Sequence, residues 1–162
     1  MAIRVPRLSY EDLREAADRF LAEHGVAGQV PVPIEEIVEF PTRYRFTLAH
    51  EAGHLVLHGE VLKAAAPASI ADWRKFVREL AQPDREWLEW QAYAFAGLVL
   101  VPRDPLERAY RAAKQAADEA GFDLDRNLEV ARQYVATSIG KVFAISAAVV
   151  EKRLGYDGIW ER

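Results

Sequence analysis

Arg45-Phe46-Thr47-Leu48-Ala49-His50-Glu51-Ala52-Gly53-His54-Leu55-Val56-Leu57-His58 carries three of the four histidines in the chain. As an α-helix this stretch puts His50 and His54 one turn apart on a single face, with Glu51 beside them. The resulting His-Glu-x-x-His pattern suits zinc, which accepts nitrogen donors at about 2.0–2.1 Å and, in catalytic sites, keeps one position open near a carboxylate that can take a proton. His50 and His54 are therefore candidate metal ligands and Glu51 the candidate general base. Phe46, Leu48, Ala49, Ala52, Leu55, Val56 and Leu57 make the segment apolar on nearly every side, the pattern of a buried helix. In such a setting a charged Glu51 is costly without a metal or partner. His58 lies eight residues from His50, about 12 Å of helical rise, too far to bind the same ion. Its expected role is to support the site or the scaffold.

The chain has 162 residues, no cysteine and a formal net charge of -4 with a pI near 5.6. That length suits one domain able to bury about 68–70% of its unfolded surface, here residues 1–40 as an N-terminal helix and extended segment, 41–102 as the metal-site helices and 103–162 as a C-terminal helical segment. Without cysteine, disulfides and thiolate metal sites are excluded, so any zinc must rest on His and carboxylate. The acidic balance argues against nucleic acid as the main partner. The first ten residues offer no secretory h-region, and the longest apolar run, residues 95–101, is far short of the roughly 20 residues that span a bilayer. A soluble, cytoplasmic protein without a membrane partner is expected.

Spacing and capping residues predict a mainly α fold. Ser9 caps a helix over residues 10–23, with Asp12 completing a capping box and His24-Gly25 ending it; His24 reads as a helix-terminal cation rather than a ligand. Residues 28–33 hold two prolines and are extended, and residues 34–38 form a short helical turn. Thr42 caps the metal helix and Gly59 fits its C′ position, with residues 60–67 continuing as weak helix or as loop. Ser69 or Asp72 caps a helix with Trp73, Phe76, Val77 and Leu80. An apolar helix runs from residue 85 to Val101-Pro102, and a polar helix spans residues 106–120 up to Gly121. Asp125 or Asn127 begins the next helix, and Ser146 caps a last one over residues 147–154, ended by Gly155.

A two-histidine site needs one more protein ligand, and with only His24 left a carboxylate is favoured from among Asp72, Glu79, Asp84, Glu86 and Glu89. Glu89 is followed by Ala92, Tyr93 and Ala96, a small-residue face that would let its helix lie close to Ala52 and Gly53. Glu86 shares that face, and periodicity does not separate the two.

Two segments in order carry a resemblance: Arg43-Tyr44-Arg45-Phe46-Thr47-Leu48-Ala49-His50-Glu51-Ala52-Gly53-His54, then Glu89-Trp90-Gln91-Ala92-Tyr93-Ala94-Phe95-Ala96 on to Pro102. Together they resemble the ImmA/IrrE family of metallo-endopeptidases. The resemblance implies a zincin-like core with two histidines and a glutamate on zinc, Glu89 being the third ligand, and a protein substrate that is a transcriptional repressor cleaved at a specific site. Tyr93 stands where the family usually has Asn. Tyr93 and Tyr44 are the candidates for an oxyanion donor. The segment from Tyr134 to Leu154 resembles the family's helix-turn-helix-like end, read here as scaffold rather than as a DNA contact.

One departure is large. The family usually carries a small β segment before the Arg-Phe-Thr helix, whereas here Glu39-Phe40 runs straight into Pro41. Either the sheet that walls the cleft is absent from this chain, or residues are missing from the sequence at that junction; the second is favoured, and a Cα step well beyond about 3.8 Å would mark it. The expected activity is zinc-dependent cleavage of a protein, with Glu51 as base. The alternatives are a regulatory interaction module or a toxin-antitoxin component whose metal site is structural or vestigial.

Overall fold

The computed structural model describes residues 5–34, 45–65, 69–124 and 126–160. Thr42, Tyr44, Asp125, most of the expected turn at 34–38, the Phe40-Pro41 junction and the side chains of Trp73 and Val77 lie outside the described residues. Among the described residues there are seven α-helices and no strand: α1 (Tyr10–Glu23), α2 (Arg45–Ala65), α3 (Ile70–Glu79), α4 (Gln82–Leu100), α5 (Arg103–Glu119), α6 (Leu128–Phe143) and α7 (Ala147–Tyr156). The fold is mainly α, as the spacing predicts.

Helix α1 starts where its side chains satisfy the free backbone amides. The Asp12 amide donates to Ser9 Oγ at 3.2 Å, and the Ser9 amide donates to Asp12 Oδ2 at 2.7 Å. Leu13, Ala17, Phe20 and Leu21 form its buried stripe. The helix ends at Gly25, whose φ of 67° suits a residue without Cβ, and the ring nitrogen Nδ1 of His24 lies 2.8 Å from the Phe20 carbonyl oxygen. His24 is thus committed to its own helix end, far in role from the metal-site histidines.

Helix α4 is the central element, touched by α1, α2 and α7. From Phe95 to Leu100 every side chain is buried, which explains a run that is apolar on all sides. The close approach of α2 depends on small residues. A Cβ on Gly53 would lie 3.1 Å from Phe95 Cδ1 and 3.2 Å from Ala92 Cα. Two backbones therefore meet at Gly53 and Ala92, and this brings the side chains one turn away into mutual reach.

Helices α6 and α7 meet at 104° through the three residues Ala144-Ile145-Ser146, within the geometry of a helix-turn-helix. Ala144 has a φ of 53°, and a methyl on Gly140 would come 2.7 Å from the Ile145 carbonyl oxygen, so the corner is tight. No single helix among the described residues is long and apolar enough to cross a membrane.

Several boundaries differ from the sequence expectation. Helix α2 does not stop at Gly59 but runs to Ala65, because one helical glycine costs only about 1 kcal/mol and Leu62, Lys63, Ala64 and Ala65 are good helix formers. Helix α4 begins at Gln82, before Pro83, since a proline in the first turn gives up an amide that has no partner there. Helix α5 starts at Arg103, directly after Pro102. Helix α7 passes through Gly155 to Tyr156, and Gly158, with φ 60°, sits beyond its end. Helix α2 is also not buried all round: Leu55 is 66% and Val56 46% exposed. Among the described residues its main packing partner is α4, and Leu55 and Val56 face away from it into solvent.

Candidate metal centre

Three side chains converge where α2 crosses α4. His50 Nε2 lies 3.1 Å from His54 Nε2 and 3.2 Å from Glu89 Oε2, and His54 Nε2 lies 3.7 Å from Glu89 Oε1. Helical spacing supplies the two imidazoles, and the Gly53–Ala92 approach brings Glu89 to them from the facing helix. The rival carboxylates are engaged elsewhere. Glu86 accepts the Gln82 amide at 2.8 Å, Asp84 pairs with Arg7 at 2.7 Å and Asp72 holds Ser69 at 2.7 Å. Glu79 lies 3.9 Å from Lys75.

The donor set fits a small dication. Tetrahedral ligands at about 2.0–2.1 Å are separated by about 3.3–3.4 Å, between the shorter and longer of the three observed edges. A single shared proton could join one pair of these atoms but not all three pairs, whereas one cation placed among them faces every lone pair at once. The cluster is the one group of metal-compatible side chains among the described residues.

Glu51 is exposed, which corrects the expectation of a buried carboxylate that needs a metal or partner to offset its desolvation. The open outer side of α2 puts it next to solvent, where its charge is stable unaided. Tyr93 is 55% exposed and its ring centroid lies 4.7 Å from that of His50, edge to face. Phe46 lies 5.3 Å from Tyr93, so the two aromatics flank His50.

His58 is buried to 1% exposure. Its Nδ1 lies 3.1 Å from His54 Nδ1, and its Nε2 lies 3.3 Å from Gln91 Oε1. It therefore touches a candidate ligand without joining the converging trio, in line with the helical rise. Gln91 itself is fully buried. The sequence reading gave it no role, although a signal was present: Leu88, Gln91, Ala92 and Phe95 form an inward stripe at i, i+3, i+4 and i+7, and Gln91 is its one polar member.

Burial holds His58 down to about 4 and also lowers His54, whose shift is opposed by the Glu89 charge and reinforced by His50. For the metal-free protein this has a definite sign. Between the unfolded value near 6.5 and the folded value of about 4 the unfolded chain binds more protons, so stability is complete above pH 6.5 and falls as pH drops toward 4. At about 1.4 kcal/mol per unit the loss from His58 amounts to about 3 kcal/mol by pH 4. Urea midpoints measured from pH 7.5 to 4 should fall over this window in the wild type and fall less in His58→Asn.

No curated protein and no solved structure matches the chain significantly. A family model does: the Peptidase_M78 model, described as the IrrE N-terminal-like domain, matches residues 39–154. That span holds both helices of the converging trio and the helix-turn-helix-like corner, and it leaves out residues 1–38, α1 among them, and residues 155–162. A match over most of the chain, centred on a His-Glu-x-x-His helix and the glutamate opposite, makes this protein a member of the IrrE N-terminal-like family of metallopeptidases.

Proposed function

We propose that the protein is a zinc-dependent endopeptidase with a protein substrate, a transcriptional repressor being the one that the ImmA/IrrE likeness implies. The observation that carries this reading is the convergence of His50 Nε2, His54 Nε2 and the Glu89 carboxylate beside an exposed Glu51 on the same helix. His50, His54 and Glu89 would hold the zinc, which when bound supplies Lewis acidity toward a peptide carbonyl and makes a water acidic enough to react near pH 7. Glu51, one residue after His50 on the same helix, would accept the proton from the attacking water and return it to the leaving amine. Tyr93, whose ring packs edge to face on His50, would donate its hydroxyl to the developing oxyanion.

A largely apolar groove of about 840 Å³ supports a macromolecular substrate. It begins at Phe46 and Tyr93 and runs between α4 and the α6–α7 corner, past Ala94, Gly97 and Val149. Such a groove can hold several side chains of an extended peptide before the scissile bond reaches His50.

The test is incubation of the zinc-loaded protein with candidate repressors, followed by mass analysis of the products with and without chelator. One defined cut that chelator abolishes and zinc restores is the expected result. Stable zinc binding with stoichiometric repressor binding and no cut would favour the interaction-module reading instead.

A further inference from the structure

The hydrogen bonds behind His54 can be ordered from one end, because the last acceptor has no choice. The Gln91 side-chain nitrogen lies 2.9 Å from the Pro6 backbone oxygen, which can only accept. The amide of Gln91 must therefore present its nitrogen to Pro6 and its oxygen Oε1 to His58. Oε1 in turn can only accept, so the 3.3 Å contact requires a proton on His58 Nε2. A neutral imidazole with its proton on Nε2 has a lone pair on Nδ1. That lone pair faces His54 Nδ1 at 3.1 Å, so His54 carries its proton on Nδ1 and leaves the Nε2 lone pair facing His50 and Glu89. Each member is donor on one side and acceptor on the other.

We propose that His58 and Gln91 are positioning residues: with the Pro6 carbonyl they form a directional relay that fixes the tautomer and ring plane of His54 for metal binding. The proposal rests on the metallopeptidase reading of the site. The far end is anchored to α4 itself. Arg7 pairs with Asp84 at 2.7 Å and its guanidinium lies 5.2 Å from the centre of the Trp87 ring, so the residue after Pro6 is fixed to the same helix that carries Gln91 and Glu89. His58 and Gln91 are both almost fully buried, so water cannot substitute for a lost partner without opening the α2–α4 contact. His50, by contrast, has Nδ1 buried with no hydrogen-bond partner among the described residues. The hydrogen-bonded support of the pair therefore reaches it through His54.

The experiment uses full-length protein and Zn²⁺, with affinity measured by competition against a chromophoric chelator. Gln91→Leu and His58→Phe keep volume but break the relay, and each should weaken zinc binding by about 10–100-fold. His58→Asn places an acceptor near the position of the lost Nδ1 and should recover most of that loss. Equal loss in His58→Phe and His58→Asn would reduce His58 to packing and overturn the proposal, as would wild-type affinity in His58→Phe and Gln91→Leu. A variant that misfolds leaves the wild type to decide: long-range proton–nitrogen spectra of the zinc-loaded protein should show the proton of His54 on Nδ1 and that of His58 on Nε2. The opposite tautomer on either ring overturns the relay. A wild type that binds no zinc refutes the metallopeptidase reading itself, which keeps the two failures distinct.

Discussion

Glu51→Gln is expected to lower proteolysis by about 10²–10⁴-fold, the usual range for loss of a general base, while zinc content stays at the wild-type level. The substitution keeps the side chain's length, its planar end and one oxygen, but the amide cannot take a proton from water at neutral pH. Glu51 is exposed and lies outside the trio of His50, His54 and Glu89, so its removal leaves the three converging lone pairs intact. Glu89→Gln makes the contrast. It removes the one carboxylate that, among the described residues, lies 3.2–3.7 Å from the two imidazoles, and should lose zinc together with activity. Parallel measurement of bound metal and of cleavage rate in the two variants separates holding the ion from using it. Wild-type turnover in Glu51→Gln would remove Glu51 from the chemistry, and loss of zinc in that variant would make it a structural carboxylate.

The parts of the site that helical geometry controls are legible in the sequence. His50 and His54 share a face because 3.6 residues make a turn, and His58 is excluded from the same ion by rise alone. Ser9 and Asp12 announced the start of α1 because a capping box is local chemistry. What depends on two segments meeting was not legible from spacing. Glu86 and Glu89 occupy the same face of α4, and only the crossing at Gly53 and Ala92 decides which one reaches the histidines. The exposure of Glu51 depends on what covers the outer side of α2, a tertiary fact on which the apolar composition of that helix is silent. The extension of α2 past Gly59 follows from the weakness of a single glycine against a run of helix formers. Gln91 was hidden for another reason: its function appears only when Pro6 and His58, 85 and 33 residues away, are placed on either side of it.

Asp157→Ala should cost about 3–5 kcal/mol, the size expected when one partner of a buried ionic cluster is deleted. The Asp157 side chain is fully buried, and its oxygens lie 2.7 Å from Arg14 Nη2 and 2.8 Å from Arg153 Nη2. Arg153 also donates from Nε and Nη2 to the Val101 carbonyl oxygen, each at 3.1 Å, and from Nη1 to the Tyr10 hydroxyl. One carboxylate therefore balances two guanidiniums that join α1, α7 and the end of α4. Gly97 belongs to the same arrangement, because a methyl there would meet Arg153 Cδ at 3.2 Å. Loss of the carboxylate strands Arg153, which is only 2% exposed, whereas Arg14 still has Glu11 at 3.7 Å. Against a total stability of about 5–15 kcal/mol such a loss is large. The exposed Arg7–Asp84 pair sets the scale, since breaking it should cost less than about 1 kcal/mol. Urea unfolding followed by helical circular dichroism should show a lowered midpoint with an unchanged slope. A midpoint shift in Asp157→Ala no larger than in Arg7→Ala would mean that Arg153 rehydrates freely and that the cluster is not what joins α1 and α7 to the helix that carries Glu89. If the cluster does join them, Asp157→Ala together with Arg153→Met should recover part of the loss, because it removes the stranded charge along with its partner.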